Sequence, residues 1–173
     1  VMRRLGPPAF SREIIAEGVA PAVPLLVHDM DGNGFADIVM PLHDLWYRNI
    51  EGRLRPERLF RHRPGQVTSG ILADFNGDRL IDLAVGVLDG PALLYIANEQ
   101  GRYAQRPITL PTGQQKQASA ITAGDIDNDG DLDIWITQYK PAYVGGQMPT
   151  PYFDSNDGFP ATLLRNEGGG RFR

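Results

Sequence analysis

The sequence predicts an all-β repeat fold: three consecutive units of four short strands, each hung on an acidic hairpin. Three observations lead there. A nine-residue acidic pattern occurs three times, its first residues 45 and then 51 positions apart (29 to 74, 74 to 125). Short β-branched runs, not helix-period segments, flank each copy. Clusters of turn residues then separate further short runs downstream. Self-similarity at a period of about 50 residues marks a repeat architecture.

The fullest copy runs from Asp125 to Asp133, with carboxylates at its first, third, fifth and ninth positions (Asp125, Asp127, Asp129, Asp133), glycine at the sixth (Gly130) and a further acid, Asp131, at the seventh. The first copy places Asp29, Asp31, Asn33 and Asp37 at the same offsets, with Gly34 at the sixth. The second places Asp74, Asn76, Asp78 and Asp82 there, with Arg79 where the others have glycine. Two carboxylates about 4 Å apart repel by roughly 1 kcal/mol in bulk water and several times more near a protein surface. A hard cation in their midst removes that penalty. Calcium takes six to eight oxygens in a flexible shell, whereas magnesium keeps its waters and demands an octahedron, so the pattern points to calcium.

An EF-hand loop also begins with oxygens at positions one, three and five, but it needs a bidentate Glu at twelve and a helix on each side. Position twelve here is Met40, Val85 or Ile136, none of which binds calcium. Residues 25–28 and 71–73 lead into the loops, and 38–40, 83–85 and 134–137 lead out, all as short apolar strands. Each loop therefore joins two strands, and the EF-hand is rejected.

The units HDMDGNGFADIVM, ADFNGDRLIDLAVG and GDIDNDGDLDIWIT resemble the FG-GAP or VCBS-type repeats of integrin α-subunit propellers and of many bacterial secreted proteins. LLRNEGGGRF, after the third loop, is similar to the LYRNNGDGTF of the UnbV/ASPIC branch. The resemblance implies a β-propeller with calcium between the first and second strands of each blade, up to three ions in all. It also implies side-chain ligands at positions one, three, five and nine, and a main-chain carbonyl at seven: Phe35, Leu80 and Asp131.

Taken in order, residues 8–15 alternate like the outer strand of a preceding blade, so that 1–22 read as that strand plus a linker. Blade one spans 23–66, with strands at 23–28, 37–42, 44–50 and 53–60. Blade two spans 67–116, with strands at 67–73, 82–87, 92–98 and 102–109 and a turn at 98–101. Blade three spans 117–173, with strands at 117–124, 133–139 and 161–166 and an incomplete fourth strand at the end. Four short strands per unit is the propeller pattern, and three blades fall short of the four to eight that close a ring. The chain thus reads as an incomplete ring, a piece of a longer chain or one member of an assembly, beginning at an internal or mature start. Arg79 occupies a position that needs a left-handed backbone, which costs a non-glycine residue about 1–2 kcal/mol, so the second loop is expected to be the weakest site.

The chain has 173 residues and no cysteine, which removes disulfides, thiol chemistry and zinc–thiolate sites. No apolar run reaches the roughly 18 residues of a membrane span. The three nonapeptides hold 11 of the 21 acids, leaving 10 against 17 Lys plus Arg, so the net charge of −4 belongs to the loops and identifies no partner. Three calcium ions would bring the total to about +2.

Residues 138–160 form an insertion absent from the other units, carrying Tyr139, Tyr143, Tyr152, Phe153, Asp154 and Asp157. It reads as a packed, proline-stiffened loop, with stacking on a sugar or a partner as the functional alternative. The six arginines from Arg48 to Arg63 read as a solvated outer strand covering apolar surface, with a polyanion site as the alternative. No motif supports nucleic-acid binding. The three histidines (His28, His43, His62) are scattered, and none of the four serines sits in a nucleophile elbow. His28, beside the first loop, reads as a structural histidine.

The expected function is therefore a non-enzymatic, calcium-stabilised binding or adhesion scaffold for a protein or glycan, working extracellularly, at the cell surface or in the periplasm. The alternatives are the propeller part of an extracellular lyase or hydrolase acting on carbohydrate, and a structural subunit of a larger surface assembly.

Overall fold

A computed structural model describes residues 25–60, 64–103, 106–139 and 159–173. The outer strand expected at 8–15 and most of the 138–160 insertion lie outside these residues. The described chain is built from antiparallel strands, with no α-helix among them. No described helix is long and apolar enough to cross a membrane.

Blade one is the four-stranded sheet β1 (Leu26–His28), β2 (Asp37–Met40), β3 (Leu45–Ile50) and β4 (Arg53–Arg58), paired in sequence order. A 3-10 turn, Pro41–His43, links β2 to β3 and ends on Asp44 in a left-handed conformation (φ 58°). The Asp44 carboxylate accepts from the Phe60 N–H at 2.8 Å and from Arg58 Nη2 at 2.7 Å, which fixes the end of the blade's outer strand. Blade two holds β5 (Val67–Ala73), β6 (Asp82–Gly90), β7 (Leu93–Tyr95) and β8 (Ile108–Thr109). Blade three holds β9 (Gln115–Gly124), β10 (Asp133–Gln138) and β11 (Thr162–Leu164), and a bridge between Asn166 and Phe172 begins its fourth strand. Together these are three consecutive propeller blades, an incomplete ring.

Two departures from the sequence reading have local causes. The third strand of blade two stops at Tyr95, because Asn98 starts the turn at once: its Oδ1 accepts the N–H groups of Gln100 and Arg102 at 3.0 and 2.9 Å. What remains of the outer pairing there is the bridge from Ala97 to Tyr103 and the short β8. Strand β6 runs on to Gly90, because its end finds a second partner: Leu88 and Gly90 pair with Gln117 and Gln115 of β9. Blades two and three therefore share one hydrogen-bonded sheet. Their backbones come close at Gly86, where a Cβ would lie 2.3 Å from that of Ala118.

The core lies between blades, in two layers. One layer gathers Met30, Val39 and Trp46 of blade one with Leu83, Val85, Tyr95 and Tyr103 of blade two. The other gathers Phe75, Ala84 and Leu94 of blade two with Ile134, Ile136 and Leu164 of blade three. Strand alternation explains the division: Leu83 and Val85 face back toward blade one, and Ala84 between them faces forward.

The second residue of each acidic loop is the plug between blades. Met30 is buried at 5% exposure near the Tyr103 hydroxyl, and Phe75 at 1%, edge-on to Phe172 with ring centroids 6.1 Å apart. Ile126, its counterpart in the third loop, is 51% exposed. Register makes Val39, Ala84 and Trp135 a second equivalent set, and again the first two are fully buried while Trp135 is 41% exposed. Burying such a side chain contributes about 1.5–3 kcal/mol.

Candidate metal centres

All three acidic loops adopt one backbone and one hydrogen-bond scheme. Their fourth and sixth residues are left-handed: Gly32 and Gly34 (φ 70° and 87°), Gly77 and Arg79 (79° and 70°), Asn128 and Gly130 (61° and 95°). Arg79 thus takes the strained conformation that the sequence requires of it. Each first-position carboxylate accepts the main-chain N–H groups of the fifth and sixth residues across the loop, and Asp74 accepts that of Gly77 as well, at 2.8 Å. Asp29 takes those of Asn33 and Gly34 at 3.1 and 2.7 Å, Asp74 those of Asp78 and Arg79 at 3.2 and 2.7 Å, and Asp125 those of Asp129 and Gly130, both at 3.1 Å. The fifth-position Oδ1 of Asn33, Asp78 and Asp129 accepts the N–H two residues on, at 2.8, 2.8 and 2.9 Å.

The ninth-position aspartates are fully buried, and each ties its loop to the rest of its blade. One oxygen accepts the N–H of the plug residue: Asp37 from Met30 at 3.1 Å, Asp82 from Phe75 and Asp133 from Ile126, both at 3.0 Å. The other accepts an N–H just past the register partners of the third strand: Asn49 at 2.6 Å, Ala97 and Asn166 at 2.9 Å. Burial pushes the Asp82 carboxyl up from 3.8 to about 6, with repulsion from Asp78 and Asp74 adding to it and the N–H groups of Ala97 and Phe75 opposing it.

Oxygens of Asp29, Asp31 and Asp37 come within 4.8 Å of one another, and so do those of Asp125, Asp127 and Asp133. Two oxygens on opposite sides of a calcium ion, at bonds of about 2.4 Å, are separated by about that distance. Loop two forms no such acidic trio among the described residues, because its third position is the neutral Asn76, whose Nδ2 donates to Asp78 Oδ2 at 2.9 Å. No hydrogen bond to the Phe35, Leu80 or Asp131 carbonyl occurs among the described residues.

Two further residues belong to these centres. Arg48 Nε donates to Asp31 Oδ2, and Arg165 Nη1 to Asp127 Oδ2. The repeats carry the signal when their third strands are aligned: Tyr47-Arg48-Asn49 and Leu164-Arg165-Asn166 follow loops with a third-position Asp, while Tyr95-Ile96-Ala97 follows the loop with Asn76. His28 has no structural role of the kind expected. It is exposed, and no side-chain hydrogen bond holds it among the described residues.

Residues 74–136 match the family model of the FG-GAP-like repeat. The match begins at the first carboxylate of loop two and ends in β10, so it takes in loops two and three. Loop one lies outside it and has the same hydrogen-bond scheme. No curated protein matches the chain.

Proposed function

We propose that the chain is a calcium-stabilised propeller segment of the FG-GAP type, serving outside the cytoplasm as a scaffold that binds a protein or glycan. The observation carrying this reading is the geometry of loops one and three, in which carboxylate oxygens converge from both ends of a hairpin whose backbone is already fixed. The donors are all hard oxygens, as calcium prefers, and in loops one and three a guanidinium already stands beside them as a positive charge. Side chains of Asp29, Asp31, Asn33 and Asp37 would hold one ion, those of Asp74, Asn76, Asp78 and Asp82 a second, and those of Asp125, Asp127, Asp129 and Asp133 a third, with the Phe35, Leu80 and Asp131 carbonyls completing the sets. When bound, the ion supplies positive charge that cancels carboxylate repulsion.

The ninth-position Asp carries that effect into the blade, because it joins the loop to the plug residue and to the third strand at once. At free ion 100 times the dissociation constant, each site contributes about 2.7 kcal/mol. Sites in extracellular modules of this kind bind at about 0.1–1 mM, which suits exterior calcium. Thermal melting in millimolar calcium and in chelator tests the reading: the midpoint rises with calcium, and an unchanged midpoint removes the stabilising role. Binding to a glycan array and to candidate surface proteins then tests the scaffold role.

A further inference from the structure

Loop two differs from the other loops in two places at once. Its third position is Asn76 where they have Asp31 and Asp127. The residue after its third-strand register partner, Tyr95, is Ile96, where Tyr47 and Leu164 are followed by Arg48 and Arg165. Charge and counter-charge are present together or absent together. Ile96 packs into the second core layer, and its Cδ1 lies 3.7 Å from where a Cβ on Gly170 would stand. Arg79, inside loop two, pairs with none of that loop's acids among the described residues. It lines the cleft between loops one and two with Asp29, Asp31 and Glu99.

An exposed ion pair contributes little, commonly under about 1 kcal/mol. The Arg48–Asp31 pair is not of that kind, because the Asp31 side chain is only 3% exposed. Asp31 also sits in a trio with Asp29 and Asp37, inside 4.8 Å, with Asp37 fully buried. Its other oxygen is occupied by the Asn33 N–H at 3.2 Å. Without the Arg48 guanidinium and without an ion, no ion pair to the trio remains among the described residues, and the hairpin relieves the repulsion by opening. Arg165 pairs with Asp127 in the third loop, where both side chains are open to water and the contribution is correspondingly smaller.

We propose that Arg48 and Arg165 are resident counter-cations: each holds the third-position carboxylate of its own loop when no divalent ion is bound. Loops one and three then stay closed in the metal-free chain, and loop two, whose neutral Asn76 donates to Asp78 and which forms no acidic trio, needs no such partner. The inference rests on the calcium reading for its second half and on geometry alone for its first.

Hydrogen exchange read by mass spectrometry on the whole chain, in chelator and in millimolar calcium, tests both halves. In chelator, wild-type amides of 29–37 and 125–133 stay about as protected as those of 74–82. Arg48→Leu speeds exchange of 29–37 about tenfold in chelator and leaves 125–133 alone, Arg165→Leu speeds 125–133 by a smaller factor and leaves 29–37 alone, and calcium restores protection in both. Arg48→Lys, which keeps the charge, stays near wild type. Should Arg48→Leu unfold the chain, Arg48→Gln, a neutral donor, carries the same comparison. If 29–37 in the neutral variant exchanges at the wild-type rate in chelator, the counter-cation role is overturned even where calcium protects every loop. If calcium protects no loop while the arginine variants still loosen theirs, the calcium reading fails and the role of the arginines stands.

Discussion

The side-chain amide of Asn166 donates to the main-chain carbonyl of Phe75 at 2.8 Å, joining blade three to the loop of blade two across 91 residues of sequence. The same amide nitrogen reaches the Leu132 carbonyl at 3.2 Å, and the amide oxygen accepts the Gly168 N–H at 3.1 Å. Both ends of a buried amide are thereby satisfied. Asn166→Ala leaves the Phe75 carbonyl orphaned inside the second core layer and costs about 1–3 kcal/mol. Denaturant melts measure the loss, which persists in calcium because no metal oxygen is touched.

Positions nine and three of the same loop separate structure from ion binding. Asp133→Ala removes the acceptor for two N–H groups, the part-buried one of Ile126 and the buried one of Asn166, and destabilises by about 2–4 kcal/mol in chelator, with a larger loss in calcium because a ligand goes with it. Asp127→Asn keeps the loop's shape and eases its repulsion, so stability in chelator changes by less than about 1 kcal/mol. Its calcium affinity at the third loop falls tenfold or more. Paired melts and calorimetric titrations of the two variants make the comparison.

Arg79 holds a left-handed backbone at φ 70° that glycine adopts without strain. Arg79→Gly raises stability by about 0.5–1 kcal/mol, net of the extra freedom glycine gains in the unfolded chain. In the parent chain the 74–82 site fills last in a calcium titration, and the substitution moves it forward. Terbium luminescence with single-loop knockouts reads the order.

Two phenols set the alkaline limit. Burial pushes the Tyr95 hydroxyl up from 10 to about 12, with Asp44 adding to the shift. Burial also raises Tyr103 well above its ordinary value, aided by the Asp82 charge. The folded chain holds these protons more tightly than the unfolded one. Their contribution is whole below about pH 10 and is lost as pH rises through about 12. Melting midpoints fall over that window, and Tyr95→Phe flattens the fall.

The hairpins were legible because their code is local. Oxygens at fixed offsets, a glycine where the backbone turns left-handed and apolar runs on either side all lie within about a dozen residues. Even the Arg79 strain could be read, since it follows from position alone. Arg48 on β3 and Asp31 in the loop lie 17 residues apart, so only alignment of the three repeats exposes their pairing. The Asn166–Phe75 bond and the joining of β6 to β9 were out of reach for a related reason. They depend on how one blade rotates against the next, and no spacing within a blade encodes that angle. His28 misled because adjacency to a loop in sequence does not bury a side chain.

The plugs all point one way. Met30 enters the blade after its own and Phe75 does likewise, so each unit has a stud on one side and a socket on the other. Stacking of this kind is vectorial, as with cups nested from one end. At Ile126 and Trp135 a stud stands proud. An engineer lengthening this molecule would graft at that side a unit whose socket carries an aromatic such as Tyr103 or Phe172.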